Sequence, residues 1–156
     1  MKKTQILIIF VCLILISVNG ITDAGEKILL NEKLPLPDDL MITPPGTDVS
    51  KEIAAFSGVW EGKESNYEAK AFLVVEEINS KDAKAIYCRG EVAAAHMPAI
   101  CDRYKAIVIP EKQQIEFGPN EKYRYTFSME NNLNQVKVTI KNPGFSDKII
   151  MNKLKY

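Results

Sequence analysis

From about residue 59 onward, the chain contains repeated segments in which apolar and polar side chains alternate, and this period of two constrains the fold most strongly. It is clearest at residues 123–129, where three aromatic residues and a methionine share one face. A period of two is that of a β-strand with one buried face. Turn residues interrupt it at intervals of about 8 to 15 positions, so the sequence predicts a series of short strands.

We predict eight strands, over residues 59–64, 70–78, 83–89, 104–109, 113–117, 123–129, 133–140 and 145–154. Asn131 and Asn132 are expected to form a hairpin turn, because both tolerate positive φ. Strands joined by short turns favour antiparallel neighbours, and eight of them can close and leave no free edge. The predicted fold is therefore all-β, a small antiparallel up-and-down eight-stranded barrel. Large inward side chains should fill it, with at most a narrow cleft at one mouth.

Residues 1–20 have the pattern of a signal peptide, with Lys2 and Lys3 before an apolar run over residues 6–18. This run is shorter than the roughly 20 apolar residues that span a bilayer. We therefore expect cleavage near Gly20, an extracytoplasmic location (periplasmic or secreted), and no integral membrane insertion afterwards. An uncleaved anchor is the alternative.

Residues 21–48 form a proline-rich segment that we interpret as an extended arm, since proline disfavours both helices and central strands. Its apolar residues indicate that parts of it lie in a groove of the domain; a simple linker is the alternative. Thr47 or Asp48 can cap a short helix reaching Phe56, which would close one end of the barrel. The barrel domain is then residues 49–156.

The charge of the predicted mature chain argues against nucleic acid as a partner. Without Lys2 and Lys3, eighteen Lys and Arg residues face twenty Asp and Glu residues. The basic residues are also scattered singly along the sequence, whereas phosphate backbones are bound by dense positive surfaces.

Cysteine usage fits an exported protein. Cys12 lies within the predicted signal peptide, which leaves Cys88 and Cys101 in the mature chain. Two cysteines in an exported chain most simply form one disulfide, and two buried thiols are the alternative. The bond would hold the loop at residues 91–100 in a restricted set of shapes.

No catalytic, metal or cofactor constellation is present in the sequence, so we predict a non-enzyme. His96 is the single histidine, and neither a GxSxG elbow nor a phosphate-binding glycine loop occurs. A carboxylate pair for glycoside hydrolysis is the remaining alternative, although carboxylates on strands usually face solvent. The candidates for such a pair are Glu61, Glu64, Glu76, Glu77, Glu91 and Asp102.

Trp60, the only tryptophan, lies between two glycines in residues 56–62 (FSGVWEG) and is expected to plug one barrel end. The GxW motif resembles the first strand of lipocalins and other calycin barrels. Together with LVVEEI at 73–78 and YCRG at 87–90, the segment is similar to a family of bacterial exported domains of unassigned function with an FSGxWxG motif and a proline-rich lead. This resemblance implies a binding or accessory role and carries over no catalytic residues.

Two functions fit these observations. In the first, the protein is a non-catalytic binding module for a small apolar or amphipathic ligand. The ligand would bind at the barrel mouth near Trp60, the 90–100 loop and Arg103, with Arg103 or Tyr104 orienting its polar end. In the second, it is an inhibitor or accessory subunit of an envelope enzyme that presents the 90–100 loop. A cavity favours the first function and a packed core the second. The candidate contact residues are Trp60, Arg89, His96, Met97, Arg103 and Tyr104.

Overall fold

The computed structural model describes residues 34–120 and 122–155. The predicted signal peptide and residues 21–33 of the predicted arm lie outside the described residues. Within them, eight antiparallel strands pair in sequence order, and the last pairs with the first to close a barrel. The strands are β1 (Gly58–Lys63), β2 (Lys70–Ile78), β3 (Asp82–Arg89), β4 (Ile100–Ile109), β5 (Gln114–Asn120), β6 (Tyr123–Met129), β7 (Gln135–Asn142) and β8 (Phe145–Lys153). The prediction of an all-β, eight-stranded antiparallel barrel is confirmed.

In the described residues that precede the barrel there is one short α-helix, α1 (Lys51–Ala54), and it is shorter than predicted. Its N-cap is Ser50, whose hydroxyl accepts a hydrogen bond from the Ile53 N–H at 3.4 Å, so the prediction of Thr47 or Asp48 as the cap was wrong. Single 3-10 turns follow at Ala93–Ala95 and Pro110–Lys112.

Two further local predictions need correction. β4 begins at Ile100 rather than near residue 104, because its pairing with β3 continues through Cys101 opposite Cys88 to Ile100 opposite Arg89. In the β6–β7 turn, the residue with positive φ is Leu133 (φ 56°) rather than an asparagine.

The inward faces of the strands form the main core. Alternate residues of each strand are buried there, together with Ile53 and Phe56 from the segment around α1. The largest members of this core are Trp60, Phe56, Phe127, Ile53, Leu73, Ile115 and Met151. These side chains fill the half of the barrel next to α1.

A second apolar cluster lies outside the barrel, beneath the described part of the arm. Arm residues Leu34, Leu36, Leu40 and Ile42 pack on buried residues of β1, β2 and β3, namely Val59, Phe72, Val74, Ile86 and Cys88. The Thr43 N–H also donates a hydrogen bond to the Glu76 carbonyl at 2.7 Å. The arm therefore covers the outer face of the first strands.

Candidate functional site

The antiparallel strand order gives the barrel two distinct ends. β1 starts directly after α1 and runs away from it, so α1 lies at the end that carries the turns at 79–81, 110–113 and 130–134. We call this the α1 end. The opposite end carries the connections at 64–69, 90–99 and 143–144, and we call it the loop end.

Trp60 lies at the α1 end. Its ring is fully buried, and its indole N–H donates a hydrogen bond to the Phe56 carbonyl at 2.8 Å. The ammonium of Lys153 lies 5.2 Å from the centre of the ring and donates to the Ala55 carbonyl at 2.7 Å. Trp60 thus packs inside the end closed by α1, and the sequence-based grouping of Trp60 with the 90–100 loop at one mouth was wrong.

The inner wall at the loop end is polar. Glu64 follows β1 and is only 7% exposed, and the Tyr87 hydroxyl donates a hydrogen bond to its carboxylate at 2.8 Å. Burial raises the pKa of Glu64, and this effect outweighs the Tyr87 hydrogen bond and the charge of Arg89, which both lower that pKa. Burial also raises the pKa of Tyr87, as does the neighbouring charge of Glu64. The carboxyl group of Glu64 and the phenol of Tyr87 therefore lie in contact where they are largely shielded from solvent.

Arg89 is the basic residue of this inner wall. It continues the inward face of β3 beyond Tyr87, two residues earlier. One terminal nitrogen reaches the Pro98 carbonyl at 3.5 Å, while the buried Nε has no hydrogen-bond partner among the described residues. A buried N–H without an acceptor is costly, so this atom is a ready donor to an incoming oxygen.

Asp147 of β8 completes the acidic part of the wall. Its carboxylate accepts hydrogen bonds from the Ser65 hydroxyl and from the backbone N–H groups of Ser65 and Lys148. Burial raises the pKa of Asp147, but the hydrogen bonds together lower it by more. The pKa therefore lies below the ordinary value. Because hydrogen-bond donors of the protein already satisfy its carboxylate, the main role of Asp147 is to hold the 64–69 loop against β8.

Aromatic rings form the floor below these polar groups. Tyr104 stacks on Phe117 with ring centres 4.6 Å apart, and Phe117 stacks on Tyr125 at 5.4 Å. Tyr125 in turn lies 4.9 Å from Tyr87. Tyr104 and Tyr125 are half-buried, so their rings separate the filled interior from the loop end.

Arg103 does not join this site, although the sequence interpretation placed it at the mouth. Its guanidinium lies on the outer face, where it makes two hydrogen bonds at 2.9 Å to the carboxylate of Glu76, which is only 1% exposed. The same guanidinium makes two hydrogen bonds to Asp39 of the arm, at 2.9 and 3.1 Å. Arg103 therefore fastens the arm to the barrel and is not available to orient a ligand inside it.

The 90–100 loop borders the loop end. Cys88 and Cys101 form a disulfide at its base, as predicted. Above it, Val92 and Met97 form a backbone bridge, and His96 is exposed with a positive φ of 53°. Met97 is half-buried. Within the described residues, no group of three or more His, Cys, Asp or Glu side chains could hold a metal ion.

Four residues of this end were absent from the predicted contact residues: Glu64, Tyr87, Tyr125 and Asp147. Strand alternation offered a signal for some of them, since Tyr87 shares the inward face of β3 with Arg89, and Glu64 follows Trp60 by four positions. No short-range pattern indicates that the ends of β1, β3 and β8 meet.

Comparison of the chain with models of protein families, with curated proteins and with solved structures finds no match. No helix among the described residues is long and apolar enough to cross a membrane.

Proposed function

We propose that the protein is an exported, non-catalytic binding module whose loop end takes a small amphipathic molecule. The observation that carries this proposal is the buried Nε of Arg89, which lacks a partner and lies on the inner wall with Glu64 and Tyr87. Ligand sites typically combine an apolar wall with a few polar groups that fix orientation. The loop end has both.

The position of the rings defines how such a molecule would bind. Its apolar part would lie against the half-buried rings of Tyr104 and Tyr125, and an oxygen at its polar end would accept a hydrogen bond from Arg89. Arg89 thus takes the orienting role first assigned to Arg103. Because the core fills the barrel beyond these rings, the ligand would occupy the mouth rather than the centre.

Native mass spectrometry of the protein purified from its own cell envelope tests this proposal. We expect a small mass increment on the wild-type chain and on Arg124→Gln, and its loss from Arg89→Gln. Arg124 is a suitable control because it is an exposed arginine that pairs with Glu116 on the outer face. Circular dichroism confirms that both variants are folded. Retention of the increment by Arg89→Gln, or its absence from the wild-type protein, would contradict the proposal.

A second candidate function is contact with an envelope protein through the 90–100 loop. It is favoured by the exposure of Ala93, Ala94, Ala95 and His96 on a loop that the Cys88–Cys101 bond holds at its base. A pre-formed loop loses less conformational entropy when a partner binds. In the same mass spectrometry experiment, this function predicts a second polypeptide instead of a small increment.

A further inference from the structure

β4 is paired along one side over most of its length but along the other side only near its end. It lies opposite β3 from residue 100 to residue 107, whereas its described pairing with β5 is limited to residues 107–109. Beyond that point the described residues of β5 pair with β6 and not with β4. In the described part of the chain, residues 100–106 are therefore a free strand edge, which we call the β4 edge.

The direction of the backbone groups follows from one hydrogen bond. The Val108 N–H donates to the Lys81 carbonyl, on the β3 side of the strand, at 2.9 Å. Because the backbone groups of successive strand residues point to opposite sides, those of Cys101, Arg103 and Lys105 point toward β5. No described residue of β5 is paired with these three residues. The β4 edge thus offers alternating donors and acceptors to another strand.

A surface groove of about 240 Å³ lies where β4 and β5 separate. Lys105 and Ile107 line it from β4, and Phe117, Tyr123 and Arg124 line it from β5 and β6. Ile107 is 64% exposed, and the stacking of Phe117 on Tyr104 closes the gap toward the barrel interior. The groove is therefore apolar at its centre, and its sides carry the cations of Lys105 and Arg124 and the carboxylate of Glu116, which pairs with Arg124.

We propose that the β4 edge binds an extended acidic segment of a partner protein as an added β-strand. The backbone groups of Cys101, Arg103 and Lys105 would supply the main-chain hydrogen bonds, as in other cases of strand addition. Lys105 and Arg124 favour acidic side chains on the added strand. Among the described residues, the exposed Lys105 pairs with Asp82 at 3.2 Å and the exposed Arg124 pairs with Glu116 at 3.6 Å, and surface pairs of this kind are readily exchanged.

A second copy of this chain fits the edge less well. Antiparallel pairing of two β4 edges would bring both Lys105 ammonium groups, each 81% exposed at the side chain, onto one short ladder. Like charges across a ladder are destabilising, and a lysine on an edge strand is a known obstacle to self-pairing. The charge pattern thus favours an acidic partner over self-association.

Amide hydrogen exchange followed by NMR tests the proposal. In the free protein, the amides of Cys101, Arg103 and Lys105 should exchange at least about tenfold faster than those of Asp102 and Tyr104, which point toward β3. A blocked peptide of alternating glutamate and valine should slow the three fast amides by about tenfold. A peptide of alternating lysine and valine should leave them unchanged.

The variant Lys105→Glu should weaken binding of the acidic peptide by about tenfold because it replaces an attraction by a repulsion. Lys137→Glu, an exposed position on β7, is the matched control and should bind as the wild type does. Equal exchange of all five amides in the free protein would overturn the proposal. Equal protection of the three fast amides by both peptides would also overturn it, as would no protection by the acidic peptide. A dimer in sedimentation with all five amides protected would assign the edge to a second copy and also refute it.

Discussion

Replacement of Trp60 by alanine tests the packing of the α1 end. The ring is fully buried among Ile53, Phe56 and Met151, so truncation should cost about 3 to 5 kcal/mol of unfolding free energy through lost burial and an unfilled cavity. Part of this cost comes from the Phe56 carbonyl, which loses the indole N–H that it accepts at 2.8 Å. Leaving a buried acceptor unpaired costs about 1 to 3 kcal/mol.

The variant Trp60→Phe separates these two contributions, because phenylalanine fills much of the space but cannot donate a hydrogen bond. We expect it to lose about 1 to 3 kcal/mol. It also keeps the test decisive if the alanine variant fails to fold, since small domains have only about 5 to 15 kcal/mol of stability.

Urea unfolding followed by far-ultraviolet circular dichroism is the appropriate assay, because both variants remove the only tryptophan and with it the fluorescence signal. Tyr67→Ala is the control: this loop residue is exposed, and its loss should change the stability by no more than about 0.5 kcal/mol. A loss below about 1 kcal/mol for Trp60→Ala would refute the assignment of Trp60 to a packed, structural position.

Two further predictions concern the loop end. The double variant Cys88→Ser, Cys101→Ser should lose about 3 kcal/mol of unfolding free energy, because the disulfide closes a short ring (sequence separation 13). Thiol titration of the native protein should find no free thiol. Two free thiols in the native protein, or a variant as stable as the wild type, would count against this prediction. Glu64 has a raised pKa in the folded protein, so folding is favoured when it is protonated, and its contribution to the stability of the wild type should fall as pH rises from about 4 toward neutrality. Glu64→Gln should remove this contribution. Denaturant unfolding of both proteins at acidic and neutral pH measures it. A stability difference between the two proteins that does not change with pH would contradict the prediction.

The barrel could be predicted because its signal is local. Alternation such as that at 123–129 identifies a strand and its buried face without knowledge of its partners. The start of β4 was missed because residues 100–103 have no clear alternation. Their strand conformation depends on pairing with β3, beside the bond between Cys88 and Cys101. α1 was overestimated in length, yet Ile53 and Phe56 do face the core as their spacing indicated.

The candidate site was predicted only in part. Arg103 and Tyr104 were both assigned to the mouth, although consecutive strand residues point to opposite faces. Tyr104 does face the barrel interior, which leaves Arg103 outside with Glu76 and the arm. Arg89 was named as a candidate, but its unpartnered Nε depends on where the ends of several strands meet. No short-range pattern contains that information.

The arm also has a consequence for the order in which the molecule assembles. Its partners are residues of β1 to β4, and the contact between Asp39 and Arg103 joins positions 64 apart in the chain. The surface that the arm covers does not exist until these strands have paired. The arm is therefore synthesised before the strands but can dock only after the strands have paired. Closing a loop of this length delays docking of the arm further. Until then the outer apolar residues, among them Phe72 and Ile86, face solvent, and the folding intermediate is most open to aggregation at that surface.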